Sequence, residues 1–179
     1  SLCLLFWPDV PEKRARHHLS QLLSLLRSSL PDPKILQTAP DYVALNPQRA
    51  WSDSASFAAL TRQPSPSPEQ CRLALDLYGG PFLEGFCLPE CPEYEHWQLH
   101  ERNRHEQCYL QALSILLADA TARGVHTDAI RYAERYLAVD ESAEDVRRHL
   151  LALRAGTGVP PIAQLQGELQ FLRNATCAV

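Results

Sequence analysis

Apolar residues at 15, 19, 22, 23, 26 and 30 recur at the i, i+3, i+4, i+7 spacing of one helix face, which predicts a single helix over residues 11–30. Pro11 and Glu12 suit its first turn, Asp9 is placed to cap it, and Pro31 and Pro33 stop it. At about 100° per residue, Lys13, Arg14, His17, Gln21, Ser24 and Ser28 fall opposite the apolar stripe. The pattern then changes. In KILQTAPDYVAL (34–45) two short β-prone runs flank Ala39-Pro40-Asp41, a hairpin signal in which Asp41 can take a turn conformation. Helix followed by hairpin is the order in which a winged helix presents its recognition helix and its wing. WSDSASFAALT (51–61) reads as a short strand or cap followed by a helical turn, and QPSPSPE (63–69) as a Pro/Ser linker and domain boundary.

After that stretch the periodicity is helical throughout. Residues 68–78 form one helix with Ser67 as its cap. GGPFLEGFCLPECPEY is a turn-rich bend expected to bury Phe82, Leu83 and Phe86. A long helix follows from Pro92 to Arg123 and stops at Gly124, a suitable C′ glycine. Thr127 is placed to cap a helix through Val139, Ser142 to cap the next, and Pro160 to open a fourth at its favoured first position. Several residues recur at a fixed offset: Gly124 with Gly158, Ala129 with Ala163, Ala133 with Gly167, Glu134 with Glu168, Leu137 with Phe171, and Leu116-Leu117-Ala118 with Leu150-Leu151-Ala152. That offset is about 34 residues, the tetratricopeptide period, a helix-turn-helix unit in which small residues let paired helices approach closely. Such units stack into arrays that bind peptides, proteins or a second copy, and they do no chemistry.

Composition narrows the classes. Apolar residues make up 45% and charged residues 21% of 179, ordinary for a globular protein. No apolar run approaches a membrane span, and the apolar start at Ser1–Trp7 is too short for a signal peptide and reads as a helix end. Methionine is absent, so the chain is expected to be a piece of something longer or to have lost its initiator. The six cysteines (3, 71, 87, 91, 108, 177) are read as reduced thiols, because a chain this long and helical needs no disulfide framework. Cys87, Cys91, His96 and His100 are possible zinc ligands, but their spacing matches no common zinc module, and no metal or cofactor is expected. Residues 1–50 hold six Lys and Arg against four Asp and Glu, whereas the remainder holds eleven against seventeen. A basic start on an acidic body fits a nucleic-acid module joined to a protein-binding one. There is no nucleophile–base pair, no glycine-rich phosphate loop and no paired carboxylate motif, so the chain is not read as an enzyme. Asn174-Ala175-Thr176 has the form of a glycosylation sequon that a cytoplasmic chain would not use.

LLFWPDVPEKRARHHLSQLLSLLRSSL resembles the second half of a winged helix of the response-regulator DNA-binding class. DLYGGPFLEGFCLPECPEYEHWQLHERNR, with the helices after it, resembles the bacterial transcriptional activator domain, and the pairing is that of antibiotic-pathway regulatory proteins. The most telling stretches are Leu5-Phe6-Trp7-Pro8-Asp9, Tyr78 with Gly79 through Phe86, and Glu95-His96-Trp97 with Glu101-Arg102. The sheet and first helix with which such a winged helix begins would lie before Ser1. Leu25 stands where these helices usually carry an arginine, and Asp41 where a glycine usually precedes the wing tyrosine, here Tyr42.

The expected fold is therefore mainly α. A tetratricopeptide-like activator domain (70–179) is preceded by a partial winged helix-turn-helix (1–62) with a small β-hairpin wing (34–45), joined by the 63–69 linker. The resemblance implies a cytoplasmic transcriptional regulator that binds promoter DNA, with the repeats mediating dimerisation or contact with the transcription machinery, and with no membrane partner. Arg14, His17, Gln21, Ser24 and Ser28 would face the major groove, while Lys13, Arg16 and Arg27 would reach phosphates. The alternative is a protein–protein interaction module with a vestigial winged helix and no DNA binding. Trp7, Tyr94 and Trp97 are read as core, and Glu93, Glu95, Asp140, Glu141, Glu144 and Asp145 as exposed helix-start carboxylates.

Overall fold

The computed structural model describes residues 1–39 and 42–156. Among them are seven α-helices and one two-stranded antiparallel hairpin. In chain order they are α1 (Leu2–Phe6), α2 (Glu12–Ser29), a one-turn 3₁₀ helix (Pro33–Ile35), β1 (Leu36–Thr38), β2 (Val43–Leu45), α3 (Asp53–Thr61), α4 (Pro68–Leu77), α5 (Pro92–Ala122), α6 (His126–Leu137) and α7 (Glu144–Ala155). The mainly helical fold with a small hairpin near the start is as expected. The chain divides into two compact units, one of residues 1–55 and 80–104, the other of 56–79 and 105–179, so that α5 supplies its first turns to one and its remainder to the other.

In the first unit α1 packs on α2, and Cys3 and Ala15 are buried. The expected cap Asp9 lies too early: Pro11 takes the cap position, and its carbonyl accepts the Arg14 and Ala15 N–H groups at 2.8 and 3.0 Å. The hairpin pairs Leu36 with Leu45, Gln37 with Ala44 and Thr38 with Val43, while Asp41 lies outside the described residues. The 80–87 bend does not bury its apolar residues as expected: Phe82 is half-buried, Leu83 is 40% exposed and Phe86 50% exposed. Phe82 and Phe86 only meet Trp97 and Tyr94 of α5 edge-on, and the main chain of the bend is held by α5 as well, as described below.

In the second unit Leu113, Leu116, Leu117 and Ala120 of α5 are inaccessible to solvent, together with Ala74 of α4, Ala129 and Ala133 of α6 and Val146 of α7. Each buried leucine contributes about 1.5–3 kcal/mol through removal from water. Phe57 of α3 lies in this same core with Cys71 and Leu75 of α4. The Pro/Ser stretch 63–69 thus joins two helices of one core, and the compact units divide elsewhere. The hydroxyl of Ser67 caps α4 in a full capping box with Gln70. Gly124, at φ +70°, ends α5 with the paired bonds Gly124 N–H to Thr121 and Val125 N–H to Ala120. Val125, the residue after Gly124, directly precedes α6 and takes its cap position, so Thr127 falls inside the helix. Ser142 likewise does not cap α7: its hydroxyl and N–H both bind the Asp140 carboxylate, at 2.7 and 2.9 Å, and Ala143 occupies the cap.

Of the small residues singled out, Ala129 and Ala133 are inaccessible to solvent, and α6 and α7 pack together. Leu116 and Leu150 are both buried, but Leu117 is inaccessible while its counterpart Leu151 is 60% exposed. The partners at 158–171 and the helix expected from Pro160 lie outside the described residues.

Candidate nucleic-acid interface

α2 sets out the expected face directly. Lys13, Arg14, Arg16, His17, Gln21, Ser24 and Ser28 are all exposed along its 18 residues, and Arg27 is half-buried. Lys13 and Arg14 have no ion-pair partner among the described residues. Arg16 binds Glu12 one turn earlier at 2.8 Å, an exposed pair that a phosphate could readily displace. His17 and Gln21 hold each other at 3.1 Å, which fixes two exposed side chains in one arrangement. The Ser28 hydroxyl donates to the Ser24 carbonyl at 2.7 Å. The sequence pattern missed the role of Arg27, whose guanidinium donates to Thr38 Oγ1 and so ties the end of α2 to β1.

The turn between α2 and the hairpin is built around Asp32. Its carboxylate accepts the Lys34 N–H at 2.9 Å and pairs with Arg49. That backbone hydrogen bond first, and the Arg49 guanidinium after it, hold the Asp32 carboxyl below the usual aspartate range. Arg49 lies beyond β2, and the Asn46 N–H binds the Ile35 carbonyl at 2.7 Å, so both ends of the hairpin close on the residues that follow α2.

The opposite face of α2 differs from a packed stripe. Ala15 is buried and Leu19, Leu23 and Leu30 are half-buried, but Leu22 and Leu26 are 51% and 45% exposed, and Leu25, 65% exposed, lies beside Arg14 and Gln21 rather than in the stripe. Near its first turns a contact not visible in the periodicity appears: Trp7 meets His18 edge-on at 5.7 Å between ring centroids. Cys87, Cys91, His96 and His100 form no group able to hold a metal ion, and no such group occurs among the described residues. No helix among those residues is long and apolar enough to cross a membrane.

The family model of the bacterial transcriptional activator domain matches residues 47–160, more than half of the chain. The chain belongs to the bacterial transcriptional activator domain family. A regulatory role of the transcriptional activator type follows at family level. No curated protein and no solved structure matches the chain. The match takes in α3 to α7 and begins after the hairpin, so α1, α2 and both strands precede the activator-domain segment.

Within the activator domain the two telling motifs are physically one. Arg102 of α5 donates through Nε to the Phe82 carbonyl and through Nη2 to the Leu83 carbonyl, both at 2.8 Å. Gln98, one turn earlier, donates to the Phe86 carbonyl at 2.9 Å. These charge-assisted and amide bonds satisfy the carbonyls of a bend in which Leu83 sits at φ +51°, a left-handed conformation unusual for a leucine. The bend carries two further turn positions, Gly80 and Gly85, also at positive φ. Of the aromatic residues read as core, Tyr94 is buried, Trp7 half-buried and Trp97 37% exposed.

Proposed function

We propose that this activator-type chain is a DNA-binding transcriptional regulator. α2 is its recognition helix, the 34–45 hairpin its wing, and the tetratricopeptide-like helices its surface for dimerisation or contact with the transcription machinery. One observation carries the reading: a solvent-facing row of Lys13, Arg14, His17, Gln21, Ser24 and Ser28 on one long helix, followed at once by a hairpin. Such a helix is narrow enough to enter a major groove, where Arg14 and Gln21 suit guanine and adenine edges and the cations suit phosphates. The partner is double-stranded promoter DNA, and the setting is cytoplasmic.

Exposure of Leu22, Leu25 and Leu26 favours a second reading, an interaction module in which α2 docks on protein, since apolar patches of this kind mark binding surfaces. A titration of the protein against a library of genomic fragments at two salt concentrations decides between them. Sequence selection above background is expected, with Arg14→Ala or Gln21→Ala relaxing preference at a single position at a cost of about 1–3 kcal/mol. Lys13→Ala should instead weaken all sequences alike and flatten the salt slope. Binding that never discriminates among fragments at either salt would leave the interaction module standing.

A further inference from the structure

We propose that Tyr94 and Phe6 are positioning residues for α2, setting the recognition helix through a continuous chain of aromatic rings. The inference rests on the DNA-binding reading above. Tyr94, in the first turn of α5, stacks on Phe6 at the end of α1, with centroids 6.0 Å apart and planes 23° apart. Phe6 meets Trp7 at 5.9 Å, and Trp7 meets His18 of α2 at 5.7 Å. On its other side Tyr94 contacts Trp97 at 5.5 Å and Phe86 at 6.0 Å. Tyr94 is 5% exposed, so its ring is a buried hub although it opens a helix. It lies inside the family match, whereas Phe6, Trp7 and His18 precede it.

α2 is loosely packed. Of its apolar face only Ala15 is buried, Leu19, Leu23 and Leu30 are half-buried, and Leu22 and Leu26 are 51% and 45% exposed. Specific side-chain contacts, Trp7 with His18 in the first half and Arg27 with Thr38 at the end, therefore carry more of its placement. His18 sits one turn from Arg14 and less than one from Gln21, so it sets the rotation of the face those residues share. Ser28 is ten residues beyond His18, about 15 Å along the helix. A tilt of roughly 10° there would move it by about 2.5 Å, well beyond the roughly 0.5 Å within which a binding geometry must be held. Phosphate attraction tolerates such a shift and bidentate base contacts do not.

The test compares Tyr94→Leu, which removes the ring, with Tyr94→Phe, which keeps it, and uses Phe6→Leu as a second break in the chain. Two readouts are taken. The first is affinity for a selected DNA sequence and for random DNA at one salt concentration. The second is the rate at which acrylamide quenches the Trp7 emission, isolated by subtracting the same titration of Trp7→Phe. Tyr94→Leu and Phe6→Leu should each raise that quenching about twofold or more and lose about tenfold or more in specific affinity, with random-DNA affinity unchanged, while Tyr94→Phe keeps both. Quenching unchanged in both leucine variants, or raised without any change in specific affinity, overturns the proposal. If the parent protein selects no sequence, the DNA-binding reading has failed, and the quenching readout alone still decides whether Tyr94 and Phe6 hold Trp7, and through it α2, in place.

Discussion

His149 makes the stability of the helical core depend on pH with a definite sign. It is 5% exposed on α7, and its Nε2 lies 3.0 Å from Thr121 Oγ1 of α5. The Thr121 hydroxyl already donates its proton to the Leu117 carbonyl at 2.8 Å, so towards His149 it can only accept. Nε2 therefore carries a proton towards Thr121, and burial disfavours a second one on Nδ1, which would place a charge inside the core. Burial lowers its pKa below the ordinary histidine value. The unfolded chain then binds more protons than the folded one in the window just below about pH 6.5, and stability falls as pH drops through it. Above that window the contribution is complete. Its slope reaches at most about 1.4 kcal/mol per pH unit, the value for one proton. Urea melts at about pH 7.5, 6.5 and 5.5 would measure it, with His149→Gln as the comparison, because glutamine can donate to Thr121 and stays neutral throughout. The other histidines and the carboxylates are common to both proteins. The wild-type curve should fall more steeply with acidification than that of His149→Gln, and parallel curves would show the reasoning to be wrong.

Two further outcomes follow from the core. Ala133 has no accessible surface between α6 and its neighbours, so Ala133→Leu should overpack the site and cost about 1–3 kcal/mol, whereas Leu at Arg131, 60% exposed, should cost under about 1 kcal/mol even with its Asp128 pair lost; equal losses in a denaturant melt would contradict the close approach of the helices. Burial pushes the Cys71 thiol up to about 11, while Cys87 is exposed, so iodoacetamide followed by peptide mapping should modify Cys87 in the native protein and Cys71 only on unfolding; equal early labelling would contradict the packing of α4.

What could be read in the sequence was local. The α2 stripe, the stop at Pro31, the Ser67 cap and the Gly124 terminus each depend on residues within a turn of one another, and each sits where its own chemistry puts it. The caps at Asp9, Thr127 and Ser142 failed because a competing local partner was stronger. Pro11 holds the cap geometry of α2, the Gly124 turn leaves room for Val125 alone, and Asp140 takes both donors of Ser142. Burial was the harder quantity, because periodicity tells which residues share a face and not whether anything covers it. Leu22 and Leu26 illustrate this on α2, and Leu151 on α7, where apolar residues at helical spacing stand open. The bend at 80–87 makes the converse point. Phe82, Leu83 and Phe86 look like buried anchors by composition, yet Phe82 and Phe86 only meet Trp97 and Tyr94 edge-on, and the main chain itself is gripped by two polar side chains of α5 from 12 to 20 residues away. The candidate interface divides along the same line. Seven of its eight residues need only the helix to share an exposed face, while the eighth, Arg27, is drawn to Thr38 by a pairing of strands that no spacing along α2 encodes. The rings that link α2 to α5 lie further still from any repeat: Phe6 and Tyr94 meet across most of the first unit's sequence, and only the fold makes Tyr94, a residue of the activator-domain match, a neighbour of the segment that precedes it.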